Sequence, residues 1–140
     1  MLKDNLNGGS VILTSSIYGC IAPDQRIYKD SLYNGINISS PAVYSASKAG
    51  VIGLMKFLSS YWGKSNIRVN SISPGGVYNN QGPEFVKNYS FKTPKGRMAN
   101  QDEISEGVLY LADNNKSSYV TGHNLVIDGG FTSWNGRVAP

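Results

Sequence analysis

Three short runs rich in β-branched residues set the terms for this chain. They are Ser10-Val11-Ile12-Leu13-Thr14-Ser15, Ile67-Arg68-Val69-Asn70-Ser71-Ile72-Ser73 and Asn124-Leu125-Val126-Ile127-Asp128. Glycine or proline bounds each one: Gly8-Gly9 before the first, Pro74-Gly75-Gly76 after the second, Gly129-Gly130 after the third. Helical patterns separate them. Strand, helix, strand, helix, strand is the order that right-handed crossovers produce, so the expected architecture is an α/β fold with a parallel sheet. The first run has too little alternation for a half-exposed strand and reads as buried on both faces. Residues 1–7 read as the end of a helix that Gly8-Gly9 closes.

From Tyr44 to about Trp62, Val43, Ala46, Gly50, Val51, Leu54, Met55, Leu58 and Trp62 recur at helical spacing. Ala46, Ala49, Gly50 and Gly53 give this helix a small face suited to close packing, and Gly63 is placed to end it. A second helix starts at Asn100 with Glu103 three residues on, the pattern of a capping box, and runs through Ile104, Val108, Leu109, Leu111 and Ala112. Residues 20–40 lack periodicity and form a polar, aromatic, turn-rich loop of a length that compact domains usually reserve for function. A second loop over residues 77–97 holds a short amphipathic piece around Glu84-Phe85-Val86-Lys87-Asn88-Tyr89.

With 40% hydrophobic and 16% charged residues over 140 positions, residues 1–140 suit one globular domain. No apolar run approaches the roughly 20 residues of a membrane span, and the N-terminus carries no secretory signal pattern. Cys20 is the only cysteine, which excludes an internal disulfide and a multi-cysteine metal site; no metal ligand set is read, and the cytoplasm is the expected compartment. The net charge of +4 and the isoelectric point of about 9.2 come from scattered basic residues, so no nucleic-acid partner is expected. His123, the only histidine, reads as structural.

Two places carry chemistry. Tyr44 and Lys48, four apart on a helix, share one face. A phenol ionises near pH ~10, and an adjacent cation favours its phenolate, so the pair suits proton transfer. Ser15 and Ser16 stand at the carboxyl end of the first strand, where open parallel sheets collect their sites.

Taken together, the strand ending Ser-Ser-x-x-Gly at Ser15–Gly19, Tyr-x-Ala-Ser-Lys-Ala at Tyr44–Ala49, Arg-Val-Asn-x-Ile-x-Pro-Gly at Arg68–Gly75, Gly96-Arg97-Met98 and the closing Tyr119–Gly130 block resemble the C-terminal half of a short-chain dehydrogenase/reductase. The resemblance covers nearly the whole chain. It implies the C-terminal half of a Rossmann-like doubly wound sheet and hydride transfer between a nicotinamide cofactor, NAD or NADP, and an alcohol or carbonyl. Tyr44 would be the general acid/base. Lys48 would favour its phenolate and bind the nicotinamide ribose, and Ser16 would hold the carbonyl, with Ser15 the weaker candidate. Pro74, Gly75, Gly76 and Val77 would pass the nicotinamide, and Tyr44 and Lys48 also count as cofactor contacts. Where the family usually has a threonine after this segment, Tyr78-Asn79 stand instead.

The Gly-rich pyrophosphate turn and the catalytic asparagine that the family carries upstream have no counterpart in residues 1–140. The resemblance therefore implies a partner: the N-terminal half of the fold, or related subunits, with homodimers or homotetramers as the complete assembly. A non-catalytic half-domain acting by association is the alternative. The stretch from Ser16 to Tyr44 is longer than the family shows, and the excess should hang over the substrate. Asp24, Gln25, Arg26, Tyr28, Asn34 and Asn37 would make that side polar, with Arg26 and Tyr28 as substrate contacts and a sugar-like or carboxylated small molecule as substrate.

Overall fold

A computed structural model describes residues 8–33 and 35–134. In chain order the elements are β1 (Gly9–Thr14), β2 (Leu32–Tyr33), β3 (Ile36–Asn37), α1 (Ala42–Trp62), β4 (Ile67–Pro74), α2 (Pro83–Lys92), α3 (Gln101–Ala112) and β5 (Asn124–Ile127). β1, β4 and β5 form one parallel sheet in the order β1-β4-β5. Its register runs from Gly9 opposite Ile67 to Thr14 opposite Ile72, and from Ser71 opposite Asn124 to Pro74 opposite Ile127. The three strands lie where the β-branched runs place them, to within a residue at each end.

The two faces of the sheet are covered differently. Met55, Ile67 and Val69 are buried, and the partly buried Val11, Leu13, Ile52, Leu58 and Trp62 pack against them, which puts α1 on one face. Strand residues of the other parity meet α3: the Ser10 hydroxyl donates to Leu111 O at 2.7 Å, and Gly107 sits against Ile72, Leu125 and Ile127. A Cβ on Gly107 would stand 2.3 Å from Ile127 Cδ1, so the glycine is what lets α3 lie close. α3 opens as its sequence predicts, with Glu103 Oε2 accepting the Asn100 N–H at 2.9 Å.

A second cluster, Ile17, Tyr18, Ile27, Tyr89, Met98 and Phe131, caps the carboxyl end of the sheet. Through it runs a ladder of rings: Tyr28 on Phe85 at 5.3 Å, Phe85 on Tyr89 at 5.8 Å, Tyr89 on Phe131 at 4.8 Å. This ladder joins the loop after β1, the helix α2 and the segment after β5. Aromatic pairs at these separations add to their burial energy.

The structure differs from the sequence expectations in four places. β4, the central strand, is buried along nearly its whole length, but β1 is only partly buried, because it is an edge strand. α1 does not present one apolar face: Met55 is fully buried, whereas Val43, Leu54, Phe57 and Tyr61 stand exposed, and the small residues Gly50 and Gly53 face open space. α1 does end at Gly63, but that glycine keeps a right-handed conformation, and the left-handed residue comes after a further 3-10 turn, at Asn66 with φ 57°. Within residues 20–40 lie a 3-10 turn, Gln25–Tyr28, and the antiparallel β2–β3 pair. The helix end read at residues 1–7 and the polar group at Asn34 fall outside the described residues. Among the described residues no helix is long and apolar enough to cross a membrane.

Candidate active site

The two serines at the end of β1 do different work. Ser15 continues the strand, its N–H donating to Ile72 O at 2.8 Å, and its hydroxyl donates to Lys48 O at 2.8 Å. That bond ties the strand end to α1. Ser16, in extended conformation, starts the 3-10 turn Ile17–Gly19, and its Oγ accepts the Tyr18 N–H at 3.2 Å. Gly19 closes the turn against α1, where a Cβ would stand 2.7 Å from the Lys48 carbonyl and 2.8 Å from Ser15 Oγ.

Tyr44 occupies the first turn of α1, its N–H donating to Pro41 O at 3.0 Å. Lys48 follows one turn later. Its Nζ stands 5.6 Å from the centre of the Tyr44 ring and donates to Thr14 O at 3.1 Å. The ammonium is thus held between strand end and phenol, with no carboxylate partner among the described residues.

β4 delivers the Pro74-Gly75-Gly76 turn to the same place. Gly75 N–H donates to Ile127 O at 2.8 Å, Gly76 N–H to the Tyr89 hydroxyl at 2.5 Å, and Gly76 O accepts from Ala99 N at 2.9 Å. Side chains do not fit here. A Cβ on Gly75 would stand 2.8 Å from Asp128 Cα, and one on Gly76 would stand 2.6 Å from the Tyr89 ring. Val77 bridges to Ala99, and its carbonyl accepts from Gln81 Nε2 at 2.8 Å.

Between these parts opens a cavity of about 340 Å³. Ser16, Tyr44, Pro74, Gly75 and Gly76 line it, as does Tyr28 from the loop. Lys48 and Val77 are next to the cavity rather than in its lining. Arg26 is elsewhere. Its guanidinium is held on Asp24 by two bonds of 2.9 Å, and its side chain is 89% exposed. Asp24 also binds Lys92 Nζ at 2.5 Å; Arg26 first, then Lys92, hold its carboxyl well below the usual carboxylate range. The expected polar loop therefore spends its charges on anchoring itself to α2, and Asn88 Nδ2 adds a bond to Ile27 O at 3.3 Å.

Sequence reasoning passed over Tyr18, Ser39, Ser40, Gln81, Phe85 and Tyr89, all of which line this cavity. Tyr18 carries a signal in hindsight, standing two residues after Ser16 at the strand exit. Phe85 and Tyr89 belong to the short amphipathic piece that forms α2, whose apolar side carried no sign of what it faces. Ser39, Ser40 and Gln81 come from stretches without periodicity. Tyr28 Oη donates to Tyr18 Oη at 3.2 Å, and burial pushes the Tyr18 phenol far up. On the far side of Gly76 and Tyr89 lies a separate hollow of about 380 Å³, bordered by Lys95, Arg97, Glu103 and Asp128.

Comparison with known proteins gives this geometry its family. The family model described as enoyl-(acyl carrier protein) reductase matches residues 25–132. The NADH-dependent L-xylulose reductase of Ambrosiozyma monospora is 38% identical over 141 residues, covering 96% of this chain and 47% of the relative. The trans-4-hydroxycyclohexanecarboxylate dehydrogenase of Sinomonas cyclohexanicum is 39% identical over 128 residues, covering 91% and 43%. Among solved structures, a short-chain dehydrogenase from Leptospira borgpetersenii with bound NAD+ superposes with a TM-score of 0.78 at 46% identity, covering 89% of this chain and 44% of that one. The chain belongs to the short-chain dehydrogenase/reductase family. It spans about half the length of the relatives it matches.

Proposed function

We propose that this chain is the catalytic portion of an NAD(P)-dependent oxidoreductase that interconverts a polar secondary alcohol and its carbonyl. The observation that carries the reading is that Ser16, Tyr44 and the Pro74-Gly75-Gly76 turn line one cavity, with Lys48 one turn below Tyr44. These residues fit a nicotinamide nucleoside. Lys48 has an ammonium with only a carbonyl partner among the described residues, and the glycine turn offers bare backbone. Lys48 and Tyr44 would hold the ribose hydroxyls, and Pro74, Gly75, Gly76 and Val77 would pass the ring. When bound, that cofactor supplies the hydride acceptor or donor.

The chain's own residues handle the oxygen and its proton. Ser16 Oγ donates to the substrate oxygen. In the oxidation direction Tyr44 takes the hydroxyl proton as the carbon loses its hydride; in reduction it returns that proton to the new alcohol. The Lys48 ammonium stands beside the ring, 5.6 Å from its centre.

The open outer edge of β1 is where the preceding half of the fold would pair. The exposed α1 residues Val43, Leu54, Phe57 and Tyr61 are where a related subunit would pack. Alone, residues 1–140 are expected to be inactive and to cause no NADH or NADPH fluorescence enhancement; the complete enzyme should act in the cytoplasm. The test is a pair of variants in the complete enzyme. Tyr44→Phe should nearly abolish turnover with cofactor affinity retained, while Lys48→Ala should weaken both. Near-normal turnover in Tyr44→Phe would remove the acid/base assignment. If no cofactor binds the complete enzyme, the reading of this chain as a half that works only by association takes its place.

A further inference from the structure

We infer that the substrate is a small uncharged polyhydroxylated molecule, of the pentitol or ketose kind, and that Tyr18 and Tyr28 are specificity-determining residues. This rests on the oxidoreductase reading above and narrows it. Several relatives are named for neutral sugars or polyols and one for a carboxylate, and names alone do not separate the two for this site.

The cavity does. Among the described residues its lining contains no lysine, arginine, histidine, aspartate or glutamate. A carboxylate brought into such a site would find no cation in the lining to replace its hydration. The ammonium beside the cavity, Lys48, is the ribose's partner in the reading above, and charges lose water unpaired only at high cost. Arg26, a cation that the loop could have supplied, is turned outward and neutralised by Asp24. Lys92 of α2 is bound to the same carboxylate.

What the lining does contain is hydroxyl chemistry. Tyr28 donates to Tyr18, which leaves the Tyr18 O–H free to donate and the Tyr28 oxygen free to accept. A substrate hydroxyl needs one of each. The Ser39 and Ser40 hydroxyls line the same cavity and make no hydrogen bond among the described residues. Their backbone is held, since the Gln25 amide bonds both the N–H and the carbonyl of Ser40, at 3.2 and 2.7 Å. The rings of Tyr28 and Phe85 add an apolar wall that the C–H face of a sugar chain can lie against. A volume of about 340 Å³ is near the lower end for ligand pockets, typically ~300–1,000 Å³, and suits a short chain rather than a long acyl group.

The experiment compares four compounds on the complete enzyme, each with both nicotinamide cofactors: D-arabinitol and xylitol against D-gluconate and 4-hydroxycyclohexanecarboxylate. Oxidation of at least one pentitol should exceed both carboxylates by tenfold or more in kcat/KM. Equal or better turnover of a carboxylate overturns this inference and leaves the oxidoreductase reading standing. No turnover of any compound, with NADH bound, overturns both. In a second arm Tyr28→Phe should lower kcat/KM for the preferred pentitol about tenfold, the effect of one lost hydrogen bond to substrate, and for cyclohexanol less than threefold. An equal loss on both compounds would make Tyr28 a packing residue and remove it from recognition.

Discussion

The hydroxyl of Tyr89 accepts the backbone N–H of Gly76 at 2.5 Å, so a side chain from α2 holds up the glycine turn that β4 brings to the cavity. Tyr89 is 3% exposed, and its ring fills the space a Cβ on Gly76 would need. Tyr89→Phe keeps the ring and removes only the acceptor, leaving a backbone donor without a partner. The expected cost is about 1 kcal/mol in unfolding free energy, together with a several-fold rise in the cofactor KM of the complete enzyme. Chemical denaturation and steady-state kinetics measure the two separately. A variant with the stability loss and unchanged cofactor KM would show that the bond serves packing alone.

Gly19→Ala tests how Ser16 and Tyr44 are kept together. The new methyl would press on the Lys48 carbonyl, which is helix backbone and cannot swing away. We expect a loss of about 1–3 kcal/mol from overpacking. Turnover should fall as well, since the strain falls between the serine turn and the helix that carries Tyr44. Full activity in the Gly19→Ala enzyme would mean that the turn and α1 can separate without harm to the site.

The Arg97–Glu103 pair gives a pH signature. Two bonds of 2.7 Å from Arg97 and the Asn100 N–H hold the Glu103 carboxyl down to about 2. A folded-state value below the unfolded one, which is near ~4.3, means that the stabilisation is complete above that value and disappears as the pH falls toward 2. The urea midpoints of wild type and Glu103→Gln should therefore differ by a constant amount from pH 7 to about pH 5 and converge below about pH 4. A gap of the same size at pH 2 as at pH 7 would count against the pair. Added salt should narrow the gap at neutral pH, because the pair is partly exposed.

Asp24→Asn should loosen the loop that roofs the cavity. Asp24 joins Arg26 and Lys92, and both Asp24 and Lys92 are mostly shielded from solvent. Limited proteolysis within residues 20–40 should speed up several-fold, with little change for α1. Equal protection of the loop in variant and wild type would show that Asn88 and the aromatic ladder suffice to hold it.

Most of the frame could be read directly from residue order. β-branched runs bounded by glycine or proline marked three strands, and the Asn100–Glu103 spacing marked a helix start, because each of these is a local cause with a local effect. Tyr44 and Lys48 were legible for the same reason: a four-residue spacing on a helix fixes a shared face. The substrate side was not. Arg26 was expected to reach toward the cavity but turns outward, since Asp24 two residues earlier is a closer partner than anything across the cavity. Phe85 and Tyr89 share a face of the amphipathic piece that became α2, but that Tyr18 packs with them depends on tertiary structure, which the sequence does not announce. The β2–β3 pair has two residues on each strand, too few for an alternation to register. Ser16 was already set above Ser15 by the resemblance; what needed the third dimension is the task of Ser15, whose hydroxyl donates to Lys48 O.

Strand order also sets a schedule for the nascent chain. Both outer strands pair with β4, and every residue from Ser15 to Asn66 is synthesised between β1 and its partner. Until Ile67–Pro74 has left the ribosome, β1 has none of the sheet neighbours described here and its backbone groups must be satisfied by water. Long sequence separation of this kind slows folding and lengthens the exposure of unpaired strand edges. The Tyr44–Lys48 helix is finished first and waits for the strand it packs against, so assembly of the site is timed by the middle of the chain.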